Sequence, residues 1–281
     1  MKRLTGFSRF GSALVLVGLV AAACAGGRAA SLGPGPTAGT TSPSAPATSP
    51  APGHSPGPSP SPVRLYTFQV WLTKGGKLFE TTRTEPFDVA VAKLALTALA
   101  KGPDHSESAV GIGTGIPNRT TFVITSVSSG VAGVHPAPQI GLTALARAQV
   151  VFTLTQYANI KSVRFAGSPT AYARASFGSL VPAITVDSPS VGQQVSSPVR
   201  VSGTANVFEG TVNVRILDAN GREIARAFTT ATCGSGCRGD YAVSVKYHVD
   251  HQQSGTIEVL DYSAQDGSPQ DAVDIPVILL P

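Results

Sequence analysis

Charge is scarce in this chain. Asp, Glu, Lys and Arg make up 13% of its 281 residues, about half the usual share for a soluble protein. Neither sign prevails. The whole chain holds 21 basic and 16 acidic residues, but Lys2, Arg3 and Arg9 sit in a segment with the anatomy of an export signal; without them the balance is 18 against 16, or +2. That leaves no electrostatic footprint for nucleic acid. Cysteines number three, too few for a zinc cage of about four ligands. Phe10 to Ala23, a run of roughly 14 apolar and small residues, is too short to span about 30 Å of hydrocarbon as a permanent helix.

Catalytic and cofactor motifs are missing as well. The "GIGTG" at Gly111 to Gly115 is not a dinucleotide fingerprint and opens no helix. Asp261, Asp266, Asp271 and Asp274 lack the spacing of a calcium loop and are expected in a solvated hairpin. His248 and His251 are expected on a strand, facing solvent; three apart there, they point to opposite faces and cannot share an ion. "GHSPG" (Gly53 to Gly57) has the letters of a nucleophile elbow, but the surrounding prolines forbid the strand and helix that motif requires. With no nucleophile–base pair and no paired carboxylates, the chain is expected to be no enzyme and to need no metal or cofactor.

What is present begins at the N-terminus. Lys2, Arg3 and Arg9 precede an apolar stretch, and Ala21 to Ala23 supply the small side chains that signal cleavage requires. Cys24 follows directly, then Ala25-Gly26-Gly27, a pattern that resembles a bacterial lipobox, although Ala21 stands where that pattern usually has Leu. The resemblance implies lipidation of Cys24 after removal of residues 1–23, and two or three acyl chains anchor stably where one is marginal. Ordinary cleavage that loses Cys24 or leaves it free is the alternative.

Residues 24–63 then read as a linker. Ten of the chain's 22 prolines fall between Ser31 and Pro62, among Ser, Thr, Ala and Gly, with no charge between Arg28 and Arg64. Such a stretch cannot bury enough apolar surface to offset its ordering entropy, so disorder with polyproline character is expected. At about 3.1 Å per residue it could reach on the order of 100 Å.

The remaining residues suffice for two domains. In the first, 64–170, Leu65 to Leu72 reads as a strand, Lys74 to Lys77 as a turn and Leu78 to Thr84 as the returning strand. Val89, Ala92, Ala95, Leu96 and Leu99 recur at helical steps until Gly102-Pro103 stops them. "TFVITSV", a turn at Ser128 to Gly130 and "VAGV" form a second hairpin. Leu142, Leu145, Ala148, Val151, Phe152 and Thr155 mark a second helix, and "KSVRFAG" closes as a strand. The fold expected is α+β, in the order β-β-α-β-β-α-β, with two helices on a mixed sheet. Tyr66, Trp71 and Phe122 belong in or beside its core.

"RTEP" (Arg83 to Pro86), "ALTALAKGP" (Ala95 to Pro103), "GIPNRTTF" (Gly115 to Phe122) and "ALARAQVVFTLTQYANIKSVRF" (Ala144 to Phe165) together resemble the GerMN domain of sporulation and spore germination. The likeness covers nearly all of residues 64–168. It departs at "SSGVAGVHPAP", where His135-Pro136 replaces a commonly acidic position.

Residues 183–281 hold seven short alternating or β-branched runs separated by turn signals such as Asn220-Gly221 and Asp266-Gly267, the pattern of an all-β immunoglobulin-like sandwich. "SGTANVFEGTV" (Ser202 to Val212), "ILDANG", "TCGSGCRGDY" and "LDYSAQDGSPQD" resemble the immunoglobulin-like domain of bacterial spore germination, a family often found C-terminal to GerMN. Cys233 and Cys237 flank Gly-Ser-Gly; in an exported chain that spacing allows a short disulfide loop, worth roughly 2 kcal/mol. Glu209, within "SGTANVFEGTV", either bonds backbone at a strand start or contacts a partner.

Both resemblances imply non-catalytic envelope modules. The expectation is therefore a lipoprotein on the extracytoplasmic face of the cell membrane, anchored through Cys24, that contacts an envelope protein or cell-wall polymer in sporulation, germination or wall processes. The alternative is a peptidoglycan- or polysaccharide-binding protein.

Overall fold

A computed structural model describes residues 63–281 of the chain. Cys24, the signal and all but the last residue of the linker lie outside the described residues. Strand β1 (Leu65–Lys74) turns through Gly75 and Gly76, both at positive φ, into β2 (Lys77–Pro86), giving an antiparallel hairpin in which Trp71 faces Glu80. Helices α1 (Val91–Lys101) and α2 (His105–Ala109) follow, then β3 (Thr121–Ser128) and β4 (Val131–Ala137). Helix α3 (Ala144–Leu154), β5 (Ser162–Phe165) and the two-residue β6 (Ala171–Tyr172) complete the α+β half.

The expected β-β-α-β-β-α-β order is present, with α2 and β6 added, but the strands divide between two sheets. β1 and β2 form one; the other runs β3-β4-β5-β6, with β4 and β5 parallel. The reason lies on the free edge of β1. Instead of a third strand, α3 and the turn after it supply side chains that act as one. Thr153 accepts the Trp71 amide at 3.1 Å, and the Gln149 amide donates to the Trp71 carbonyl at 2.9 Å. Gln156 both accepts from and donates to the backbone of Gln69, at 2.9 Å each. These bonds explain why α3 is buried on every side from Ala148 to Leu154 although its sequence shows a single stripe. Its Phe152 meets Trp71 edge-on at 4.8 Å between ring centres.

On α1 the buried positions are Ala95, Leu96, Ala98 and Leu99. Val89, expected on that stripe, precedes the helix and is 88% exposed. Helix α2 arises in a stretch read as loop: Asp104 and Glu107 cap each other reciprocally, which satisfies amides that a short helix leaves open. Tyr66 is half-buried, and Trp71 and Phe122 are buried.

A 3-10 segment, Arg174–Leu180, leads into the all-β half. It holds β7 (Ile184–Ser188), β8 (Gln194–Val195), β9 (Val199–Ala205), β10 (Thr211–Leu217), β11 (Glu223–Thr230), β12 (Gly239–Val245), β13 (Gln253–Tyr262) and β14 (Pro269–Leu279). All seven expected runs are strands, and β8 is an addition. Sheet β11-β10-β13-β14-β8 packs on sheet β12-β9-β7, with alternate residues such as Val212, Val214, Ile216, Ile257 and Val201 fully buried between them. His248 and His251 fall after β12 in a loop rather than on a strand, and both are exposed. No helix among the described residues is long and apolar enough to cross a membrane.

Candidate functional site

The two halves meet where β2 packs against β7. An apolar contact would be the ordinary solution there. Instead, β2 contributes Glu80, 5% exposed, and β7 contributes Asp187, half-buried. The two carboxyls are close enough that each raises the cost of ionising the other. Burial, then the neighbouring Asp187 charge and the bond to it, push Glu80 up to about 9. Burial raises Asp187 as well. Glu80 Oε1 and Asp187 Oδ1 are buried and have no hydrogen-bond partner among the described residues, which adds to the cost of charging them. The seam is completed by the Thr82 and Ser190 hydroxyls at 2.7 Å and by Lys77 donating to the Ser179 carbonyl.

Beside the carboxyl pair opens a cleft of about 480 Å³ with a polar rim. Its α+β wall carries Gln69, Trp71 and Arg174; its sandwich wall carries Asn206, Arg238 and Asp240. Arg174 lies over the Trp71 and Phe152 rings, at 5.5 and 4.8 Å from their centres, and is fixed by bonds to Thr155 and the Phe152 carbonyl. Arg238 is fixed by Thr204 and the Pro182 carbonyl. Burial lowers the pKa of both arginines, opposed chiefly by the Glu80 charge. Tyr241, raised by burial and by the Asp187 and Glu80 charges, donates to the Thr185 carbonyl at 2.8 Å just behind Asp187.

One donor buried behind the cleft wall is left over. The Trp71 indole N–H is buried and has no acceptor, an arrangement that native interiors rarely keep. The arrangement can therefore offer fixed donors, a titratable acid pair and an exposed carboxylate to a polar molecule. Among the described residues no group of His, Cys, Asp and Glu could hold a metal ion.

Residues 183–268 match the family described as the immunoglobulin-like domain of bacterial spore germination. The sandwich wall of the cleft lies inside this germination-type segment, as do Glu209 and both paired cysteines. No curated protein matches the chain. Among solved structures, the tandem GerMN domains of the sporulation protein GerM from Bacillus subtilis align with 77% of the chain at 12% identity and a TM-score of 0.34. The chain spans 61% of that structure's length. CopC from Methylosinus trichosporium OB3b aligns with 35% of the chain and 94% of its own length, at 14% identity and a TM-score of 0.23. WR4, a C. elegans MSP family member, aligns with 35% of the chain and 97% of its own length, at 14% identity and a TM-score of 0.21. Likenesses this remote add nothing to the fold described above.

The germination-type segment places Cys233 and Cys237 in a disulfide, Cα atoms 5.7 Å apart. The loop it closes holds the turn that carries Glu209. Ser235 accepts the Glu209 amide at 3.0 Å, and Asn206 accepts the Gly236 amide at 3.0 Å. A Cβ on Gly234 would stand 2.2 Å from the Gly210 nitrogen, so only glycine lets the loop seat there. Glu209 itself is exposed, sits at φ 53, and its carboxylate has no hydrogen bond among the described residues. It lies next to Phe208, 57% exposed. Replacing both cysteines with serine should cost roughly 2 kcal/mol in denaturant unfolding and loosen this turn, seen as faster amide exchange at Glu209 and Gly236. Unchanged exchange would mean that the turn holds without the loop.

Among the other polar residues weighed from the sequence, His248 bonds only Asp250, at 3.2 Å. Asp261 is buried and accepts from Gln270 at 3.0 Å. Asp266 accepts from Ser268. None of these reaches the cleft. Glu80, Arg174, Asp187 and Arg238 were not singled out by sequence reasoning; the available signal was an acid directly after an apolar residue in the strand runs "KLFETT" and "ITVDS".

Proposed function

We propose that the chain is an envelope lipoprotein, anchored through Cys24 on the extracytoplasmic face of the cell membrane, whose folded part is a non-catalytic binding module in sporulation, germination or wall processes. The observation that carries this reading is the match of residues 183–268 to a spore-germination domain, built into one body with an α+β half whose sequence resembles GerMN. The uncharged, proline-rich residues 31–62 fit the same reading, because a spacer of on the order of 100 Å serves a module that must reach a partner away from the membrane. Cys24→Ala should move the protein from the membrane fraction to the medium, or leave it unprocessed; membrane retention of a cleaved variant would sink the anchor. Crosslinking in intact cells should then capture a partner with the native chain and lose it with the released variant.

A second reading, a binder of peptidoglycan or another wall polysaccharide, is favoured by one feature. The seam cleft presents fixed polar groups, among them Arg174, Arg238 and Asp240, rather than the flat apolar patch that a protein partner favours.

A further inference from the structure

We infer that the open face of the β3-β4-β5-β6 sheet carries a binding notch for the phosphodiester group of an extracytoplasmic polyol phosphate polymer. The notch lies over Gly133, between Arg164 on one side and the Thr125 and Ser126 hydroxyls on the other, with His135 at one end. It is separate from the seam cleft. The inference deepens the binding-module reading and rests on it for the source of the ligand.

The notch arises from two irregularities in the strands. Successive side chains of a strand ordinarily point to opposite faces. A bulge falls between Ile124 and Ser126, and bulges re-aim side chains. Here two successive hydroxyls come to one place: a Cβ on Gly133 would stand 2.7 Å from Thr125 Oγ1 and 2.9 Å from Ser126 Oγ. Glycine at this position keeps the space open. Across the sheet Gly133 pairs with Arg164 of β5. The residues flanking both, Ala132, Val134, Val163 and Phe165, are buried, so alternation turns the Gly133 position and the Arg164 side chain to the open face. His135, two residues along β4, shares that face. Arg164, His135, Thr125 and Ser126 are all exposed. The opening measures about 330 Å³, and Ser128 also lines it.

Charge and shape set the class of ligand. Among the described residues no Asp or Glu lines the opening, and neither the Arg164 nor the His135 side chain has a hydrogen-bond or ion-pair partner. Thr125 donates only at 3.3 Å, to the Gly133 carbonyl. Each of these side chains can donate, so the notch suits an anion rich in acceptor oxygens. A planar carboxylate presents its two oxygens in one direction. A phosphodiester is tetrahedral, and its two unesterified oxygens diverge. Donors on opposite sides of Gly133 fit the second shape: the Arg164 guanidinium meets one oxygen, in the charge-assisted contact that phosphates favour, and the hydroxyls meet the other. The source follows from how little charge surrounds the notch. An anionic bilayer is recognised by clusters of about 4–8 Lys and Arg, and this opening has one Arg. A polyol phosphate chain instead offers one phosphodiester at a time with hydroxyls beside it, within reach of Ser128.

Titrating the full chain in neutral detergent with a phosphodiester-linked glycerol phosphate oligomer should shift the backbone amide resonances of Ser126, Gly133, His135 and Arg164, and the shifts should saturate. Cellobiose should move none of them. Arg164→Gln, at an exposed position, should weaken binding by about tenfold, the loss of one charge-assisted hydrogen bond. Gly133→Ala should also weaken it, because the new methyl fills the notch and turns both hydroxyls aside. Arg200→Gln, exposed on β9, should bind as the native chain does. The absence of saturable shifts at these amides would overturn the site. So would an Arg164→Gln or Gly133→Ala chain that binds as tightly as the native one, or an equal loss in Arg200→Gln. Tighter binding of inorganic phosphate than of the oligomer would overturn the polymer as the source. Shifts produced by phosphatidylglycerol added to the micelles, and not by the oligomer, would do the same. Each of these failures leaves the anchored-module reading standing, which Cys24 release and crosslinking test separately.

Discussion

Raising the pH from 5 to 9 should steadily lower the denaturation midpoint of the chain, and Glu80→Gln should remove most of that slope. The sign follows from the direction of the shift. A carboxyl whose pKa rises on folding contributes stability that is complete below its unfolded value and fades as pH climbs through its folded value. For Glu80 the window runs from 4.5 to about 9. At roughly 1.4 kcal/mol per unit, the loss across it is of order several kcal/mol. Glutamine keeps an N–H to donate to Asp187 but has no proton to lose. Urea titrations at pH 5, 7 and 9 on both proteins would decide the matter. Equal slopes for native chain and variant would show that burial does not keep Glu80 protonated.

The second large effect is expected at another buried carboxylate, on α2. Glu107 is 1% exposed and receives Arg83 through two nitrogens, at 2.9 and 2.6 Å, Thr81 at 2.7 Å and the Asp104 amide at 2.8 Å. Burial works against its charge, but the bonds from Arg83, Thr81 and Asp104 win and hold it below the usual carboxylate range. Arg83→Met keeps the stem and removes the partner, which leaves an uncompensated buried charge. The cost should be about 3–5 kcal/mol, read as a fall in the urea midpoint. Thr81→Val should cost only about 1–2 kcal/mol. Here the linkage runs the other way: stability is present above the unfolded pKa and is lost as pH falls through the lowered folded value. Together the two acids make their joint contribution largest near their unfolded value of 4.5. An Arg83→Met variant within 1 kcal/mol of the native chain would show that Glu107 is satisfied by its neutral donors alone.

Much of the architecture was legible because its signals are local. Asn220-Gly221 and Asp266-Gly267 do mark turns between strands, and the seven alternating runs are seven strands of the sandwich. The hairpin at Gly75-Gly76 and the cores of α1 and α3 were visible for the same reason. The division into two sheets was not. It depends on Gln149, Thr153 and Gln156 standing in for a strand along β1, and nothing in a polar residue's letter says that it faces backbone instead of water. Helix α2 was missed because five residues are too few for a period to show; its Asp104–Glu107 capping pair was the readable clue. The cleft was hidden more deeply. Glu80 and Asp187 lie far apart in the chain, each beside core residues of its strand, Phe79 and Val186, and no single-sequence pattern connects them. The residue that the sequence did offer, Glu209, lies on the separate disulfide-held turn.

The burial of Glu80 also makes assembly of the two halves a chemical step. In a chain growing from its N-terminus, β2 exists long before β7, and with no sandwich to cover it the Glu80 carboxyl meets water and ionises at its ordinary pKa. Docking β7 against it near neutral pH is therefore expected to take a proton from the medium. Closure of the seam then behaves as a reaction with protons among its reactants: its equilibrium shifts with buffer pH, and its net proton uptake can be counted as heat in buffers of different ionisation enthalpy.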